Sequence, residues 1–301
     1  MKYLVLICLI LHFNSLGFCE ILNNCVCGQI NYDSLDRDIN SRIINGTEPH
    51  PHKYPWMVSI QYRIDDLDKP LCGGTIISDR TILTAAHCTE KDDLRILTGI
   101  HVNTEPPEDL IYTPIDIIKH PSHVRGRYYI TFDLAMIIVD RTIRFSPIIQ
   151  PICLPNDNDD KLFLKQKAIT AGWGYVTSWP VTQNLLLMET ETRILPDEIC
   201  KTKLMAMNVE FNEKAMMCAQ KEFTSVCFGD SGGPLFVDSG RNHHIILGVT
   251  SFGDFGCSPR VAQAFAKVSS SQTLDWIHDV IEQTGGNVCR NRRSSILRRF
   301  Y

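Results

Sequence analysis

No stretch of this sequence is long and apolar enough to cross a bilayer, and it contains no low-complexity block and no short internal repeat. Net charge is also scarce. At -4 over 301 residues the chain has no general attraction to nucleic acid or to acidic membrane surfaces, so neither is an expected partner. Metal-ligating spacing is lacking as well: Cys25-Val26-Cys27-Gly28 is a Cys-x-Cys doublet with no histidine cluster beside it, which favours structural disulfides over a zinc or redox pair.

Several features are present. Met1-Lys2 followed by the apolar run Leu4 to Leu11 has the charged start and short core of a secretory signal, with cleavage expected after Gly17 or Cys19. The chain is therefore expected to be secreted, with residues 1–19 removed. Of the twelve cysteines, Cys8 and Cys19 leave with the signal, and the remaining even number suits an oxidising compartment in which cysteines act as staples. Residues 20–42 are polar, without apolar period, and look like a pro-segment. Residues 285–301 form a basic tail, with Arg290, Arg292, Arg293, Arg298 and Arg299 expected to be solvated.

Chemistry concentrates in Cys227-Phe228-Gly229-Asp230-Ser231-Gly232-Gly233-Pro234. A serine hydroxyl is a poor nucleophile at neutral pH, and flexible glycines around it allow main-chain N–H groups to face a developing oxyanion. Gly229 to Gly233 also fits the Gly-x-Ser-x-Gly elbow of α/β-hydrolases. That elbow needs a helix directly after the serine, and Gly-Gly-Pro opposes one.

Two further signals supply partners. Leu83-Thr84-Ala85-Ala86-His87-Cys88 is a strand end running into a small-residue turn that holds a histidine beside a cysteine. In Phe132-Asp133-Leu134 a carboxylate stands at the mouth of an apolar strand, where it needs a donor such as an imidazole N–H. Together they form nucleophile, base and orienter. Upstream, Arg42-Ile43-Ile44-Asn45-Gly46 offers a cleavage site after a basic residue. The new α-ammonium on Ile43, if buried, would need a carboxylate, and Asp230 is the candidate.

Short β-rich runs separated by turn residues recur from Trp56-Met57-Val58-Ser59-Ile60 to Leu134–Val139, and again from Ala168–Gly174 to Ala264–Val268. An all-β architecture of two tandem barrels fits this spacing and length. One long helix is expected at the end, capped by Ser271, running from Thr273 to Gln283 with Leu274, Ile277 and Ile281 on one face, and stopped by Gly285.

From Arg42 to that helix the chain resembles the trypsin/chymotrypsin family of serine proteases. The resemblance rests on Ile43-Ile44-Asn45-Gly46, Thr84-Ala85-Ala86-His87-Cys88, Asp133-Leu134-Ala135, Gly172-Trp173-Gly174, Gly229–Pro234 and Thr250-Ser251-Phe252-Gly253, and on the triad order His, Asp, Ser. It implies a protease domain over residues 43–284, split near residue 160 into two six-stranded antiparallel β-barrels. His87, Asp133 and Ser231 would be catalytic, and the amides of Gly229 and Ser231 would form the oxyanion hole. Ser225, Val226, Phe228, Ser251, Phe252, Gly253 and Gln263 would bind substrate. The implied disulfides are Cys72–Cys88, Cys200–Cys218, Cys227–Cys257 and Cys27–Cys153, the last keeping the pro-segment attached after activation. Another common bridge of the family would need cysteines near Ala168 and Val237, where both are missing. Cys25 and Cys289 then remain, and pairing them would tie the amino-terminal segment to the tail. The Cys25-x-Cys27-Gly28 doublet is similar to pro-segments of some secreted invertebrate proteases, including venom and digestive enzymes.

The resemblance also marks departures. The place of the trypsin pocket-floor aspartate is taken by Ser225, with Val226 beside it, so cleavage after Arg or Lys is not expected and the floor looks chymotrypsin-like. A wall position that is usually glycine is Gln263, which either enters and narrows the pocket or turns outward. Ile100 follows Thr98-Gly99 where a calcium loop would begin with an acid, so no calcium is expected, nor any other metal or cofactor. Asn45-Gly46-Thr47 is a glycosylation sequon whose occupancy stays open. The expected partners are protein or peptide substrates, an activating trypsin-like protease and protein inhibitors, with the enzyme itself a monomer. The alternatives are a catalytically silent homologue acting as a binding module and an α/β-hydrolase esterase.

Overall fold

The computed structural model describes residues 25–31, 42–43, 46–65, 67–126, 130–175, 185–220, 228–240, 242–254, 257–258 and 260–289. Six antiparallel strands make the first half: β1 (Met57–Ile64), β2 (Leu67–Ile76), β3 (Thr81–Thr84), β4 (Leu94–Thr98), β5 (Pro114–Lys119) and β6 (Ala135–Val139). Six more make the second: β7 (Lys167–Gly172), β8 (Met188–Ile194), β9 (Met216–Gln220), β10 (Pro234–Asp238), β11 (His244–Phe252) and β12 (Gln263–Lys267).

The two halves have the same strand order. The first runs β4-β1-β2-β3-β6-β5, and β5 comes back beside β4 without a hydrogen-bonded ladder, so this barrel is nearly closed. The second runs β10-β7-β8-β9-β12-β11, and the β10–β11 ladder closes it. Adding six to each strand number of the first barrel reproduces the second. Closure removes the open edges that would otherwise invite pairing with other chains.

Burial explains why these segments are strands. Every residue of β6 is buried, as are Met57 to Ile60 of β1, so these strands read as continuous apolar runs. Ala168 and Val237, where a bridging cysteine pair is missing, lie one step along the β7–β10 register from Ile169 and Phe236. Both are buried in the core of the second barrel, so an apolar contact fills the place of a disulfide.

The terminal helix spans Ser271–Gln283. Its cap is Ser270, whose side chain accepts from the Thr273 amide, so the cap lies one residue before the expected Ser271. Leu274, Trp276, Ile277, Val280 and Ile281 face a core that draws on both barrels, including Ile76 and Ile152 on one side and Val249 and Val268 on the other. Fully burying one such side chain contributes about 1.5–3 kcal/mol, so this helix clamps the two halves together. Gly285, at φ +67°, ends it as expected.

Disulfides join Cys25–Cys289, Cys27–Cys153, Cys72–Cys88 and Cys200–Cys218. Cys257 is also disulfide-bonded, and its expected partner Cys227 lies outside the described residues. Residues 25–31 dock on the second barrel. The Gly28 amide donates to Pro151 O at 2.8 Å, its carbonyl accepts from His244 N at 2.9 Å, and the Asn242 side chain accepts from the Ile30 amide at 3.1 Å. Among the described residues no helix is long and apolar enough to cross a membrane.

Candidate active site

His87 is placed by the end of β3. After Thr84 the chain passes through Ala85 into a 3-10 turn, Ala86–Thr89, and the Cys72–Cys88 bridge ties this turn to β2. Asp133 stands just before β6 at a tight turn in which the Leu134 amide donates to Phe132 O at 2.7 Å. Phe132 is held at φ +45°, a conformation that costs a bulky residue free energy and that the surrounding packing must enforce. The turn aims the carboxylate inward, where Asp133 is 2% exposed.

Three donors meet that carboxylate. His87 Nδ1 lies 2.7 Å from Oδ2, the His87 backbone amide donates to Oδ1 at 3.1 Å, and the Ser251 hydroxyl donates to Oδ2 at 2.6 Å. Burial alone would push the Asp133 carboxyl up. The hydrogen bond and charge of His87, with the Ser251 hydroxyl and the His87 amide, outweigh burial and hold it below the usual aspartate range. An ionised Asp133 makes Nδ1 the protonated nitrogen of a neutral His87, which leaves Nε2 as the base.

Ser231 comes to this corner through its backbone. Its carbonyl accepts from Gly73 N of β2 at 2.7 Å, and the Gly232 amide donates to Thr250 O at 2.8 Å. Gly232, at φ +79°, is packed so closely that a Cβ there would overlap Thr84 Oγ1 and Gly73 O and lie 3.2 Å from Cys88 Sγ. The serine loop therefore rests on the same strands and disulfide that carry His87. His87 Nε2 is 3.7 Å from Cys88 Sγ, and no hydrogen bond joins it to Ser231 Oγ among the described residues. Such bonds often tighten only when substrate is bound.

Gly229 has φ +95°, and its missing Cβ would lie 3.0 Å from the Gly174 Cα. Among the described residues neither the Gly229 amide nor the Ser231 amide donates to a backbone carbonyl. Asp230 points the other way. Its Oδ1 accepts from Gly174 N at 2.8 Å, and side chains at Gly172 and Gly174 would collide with its carboxylate. The spacing Gly172-Trp173-Gly174 is thus explained by a half-buried acid whose carboxylate needs room.

Gln263 begins β12, opposite Ala219 of β9. It is 5% exposed, and its Cγ would lie 3.9 Å from a Cβ on Gly253. Phe228 is 49% exposed, and Phe252 and Gly253 are partly so. Ser225 and Val226 lie outside the described residues, as do Ile44 and Asn45 of the activation sequence and the sequon. Arg42–Ile43 pairs antiparallel with Gly46–Thr47, and Thr47 pairs in turn with Glu189 of β8.

Ser251 has a function that sequence reading missed. The resemblance places it with Phe252 and Gly253 on the strand for substrate, yet it is 7% exposed and its hydroxyl donates to Asp133. The β11–β12 register shifts between Thr250 and Phe252, and that irregularity at Ser251 turns the hydroxyl toward the first barrel. Only the motif Thr250-Ser251-Phe252-Gly253 hinted that this position matters.

The Trypsin family model matches residues 43–277. The chain is similar to granzyme M of Rattus norvegicus, at 31% identity over 250 residues, covering 80% of this chain and 90% of the rat protein. A match over most of the length, on two barrels with a terminal helix, shows that this chain belongs to the trypsin family of serine proteases and is a serine endopeptidase.

Proposed function

We propose that this chain is a secreted zymogen, cleaved between Arg42 and Ile43, that then hydrolyses peptide bonds through Ser231, His87 and Asp133. The observation that carries this reading is the carboxylate of Asp133 held by the ring Nδ1 and the backbone amide of His87 and by the Ser251 hydroxyl, in the corner where the Ser231 backbone is tied to β2. His87 Nε2 takes the proton of Ser231 Oγ as the oxygen attacks the substrate carbonyl, and later gives it to the leaving amine. Asp133 keeps the imidazole tautomer and stabilises the imidazolium. The amides of Gly229 and Ser231 receive the oxyanion, and each such donor contributes roughly 3–4 kcal/mol to lowering the barrier.

The strand register supports the activation step. Gly46–Thr47 lies on β8 at Glu189, and Met188 and Glu189 of β8 pair with Gly172 and Ala171 of β7. Gly172 is the residue against which the Asp230 carboxylate rests. Ile43 is three residues from Gly46, a reach of about 10 Å when extended. A freed Ile43 ammonium can therefore compete for the Asp230 carboxylate and draw the serine loop into register. The Cys27–Cys153 and Cys25–Cys289 bridges keep the pro-segment on the enzyme after the cut. The activating protease would be trypsin-like, because the bond cut follows Arg42.

For specificity, Ser225 in place of an acid disfavours P1 Arg and Lys. The buried Gln263 beside Gly253 favours a shortened, neutral pocket over one that turns its amide to solvent. The enzyme acts as an extracellular monomer and is open to protein inhibitors.

The test is to cleave the purified zymogen at Arg42, label with a fluorophosphonate and profile P1 preference on a peptide library. Label on Ser231 with cleavage after neutral residues is expected. A correctly cleaved, folded protein that takes no label would identify a silent homologue, and dominant cleavage after Arg would overturn the pocket assignment.

A further inference from the structure

His120 follows β5 and takes no part in the chemistry above. It is 2% exposed, and its ring lies flat on Phe132, with centroids 4.4 Å apart and planes 8° from parallel. Trp276 of the terminal helix closes on it edge-on at 4.8 Å. Its backbone amide donates to Leu134 O at 2.9 Å. One residue therefore grips both neighbours of Asp133, the ring holding Phe132 before it and the amide holding Leu134 after it.

The strain in this turn makes the grip consequential. Phe132 sits at φ +45°, and the Leu134 amide folds back on Phe132 O, so Asp133 is the apex of a compact turn that an unsupported phenylalanine would leave. The aromatic stack opposes that relaxation, because swinging Phe132 out of the left-handed region would unstack its ring. From this geometry we infer that His120 is a positioning residue for the triad, acting through Phe132 to fix the direction of the Asp133 carboxylate. The inference rests on the triad reading proposed above.

The polar surroundings show what state the ring must be in. Nδ1 accepts from the Ser122 amide at 3.1 Å, so the neutral ring carries its proton on Nε2. Among the described residues Nε2 has no hydrogen-bond partner of good geometry, although the Gln272 carbonyl is near enough to favour protonation. The titratable group facing it is His123, on the same turn, whose charge opposes protonation, and Phe132 and Trp276 contribute only rings. Burial is the largest effect and pushes the imidazole down to about 4, so the ring is neutral at working pH. Charging it would force an unsolvated cation between two rings and disrupt the acceptor bond from Ser122.

The experiment uses the full chain, cleaved at Arg42, as wild type, H120A, H120F and F132G. Active-site titration with a fluorophosphonate counts competent Ser231, and kcat, KM and the pH profile are measured on one peptide substrate. H120A should keep its KM and lose about tenfold or more in kcat, the scale of loss that a displaced catalytic group brings. H120F retains the stack and should recover most of that kcat, while losing the extra acid sensitivity that the histidine confers. F132G removes the ring but adopts the positive φ without strain, so it should lose less kcat than H120A. If H120A is folded, titrates fully and equals wild type in kcat and in pH profile, the positioning role is refuted. If H120F is as poor as H120A, the stack is not what matters and the inference also fails. A wild type that neither titrates nor cleaves would instead overturn the catalytic reading itself.

Discussion

The Gly172-Trp173-Gly174 turn can be tested by adding one methyl group to Gly174. A Cβ built there would overlap Asp230 Cγ and stand 2.5 and 2.6 Å from Oδ2 and Oδ1. Relaxed contacts between such atoms are near 3.5 Å, so the carboxylate must retreat by about 1 Å. Retreat breaks the 2.8 Å bond from Gly174 N to Oδ1, a bond to a charged group and therefore a loss of about 1.5–3 kcal/mol. Asp230 is bonded directly to Ser231, so the shift reaches both the nucleophile and its amide. A displacement on the order of 1 Å at reacting groups costs about 10²-fold in rate. We expect Gly174→Ala, cleaved at Arg42, to show kcat reduced about 100-fold with a smaller change in KM, and a lower melting temperature. Steady-state kinetics normalised by fluorophosphonate titration, with thermal unfolding alongside, measures both. A folded Gly174→Ala enzyme with kcat within threefold of wild type would show that Asp230 does not govern the serine loop, and the account of this turn would fail.

Ser251→Ala removes one of the donors on Asp133 and should destabilise the protein by about 1.5–3 kcal/mol at neutral pH. Because the Asp133 carboxyl is held below its ordinary value, that stability is present above the unfolded pKa of 3.8 and is lost as pH falls through the folded value, so the gap between variant and wild type should close in acid unfolding curves. His120 acts earlier on the same titration: the unfolded chain takes up a proton near 6.5 and the native ring only near 4, so wild type loses stability across that window and H120F should lose less. Lys267 Nζ and Asp160 Oδ2 form a buried pair at 2.9 Å, each side chain 3% exposed, so Lys267→Met alone should cost about 3–5 kcal/mol in denaturant melts by stranding Asp160, while adding Asp160→Leu should recover much of the loss. Gln263→Gly should raise kcat/KM for P1 phenylalanine peptides by about tenfold, and an unchanged profile would remove Gln263 from the pocket.

Much of the site was legible along the chain because catalysis demands particular residue types at fixed local spacing. Glycines around Ser231, small residues before His87 and an acid at the mouth of an apolar strand each carry a local reason. The strands of the cores were legible where apolar residues ran together, as in β6. Others were not: β8 carries Glu189 and Glu191, and β9, Met216–Gln220, has no β-branched residue. The helix Asp197–Met205 lacks a clear apolar stripe and is held by the Cys200–Cys218 bridge. Their state depends on neighbours far away in the chain, which no local pattern reports.

What the amino-acid order determined by itself, then, was the set of reactive groups, the turns that carry them and the all-β character of the two halves, because these arise from side-chain chemistry and short-range backbone preference. Only the tertiary structure decided that Ser251, 118 residues from Asp133, would give its hydroxyl to that carboxylate, that Asp230 would claim the space left by two glycines, and that His120 would brace Phe132. Those are contacts between segments distant in sequence, and they exist because closing two barrels against each other buries polar groups that must then find partners in the other half.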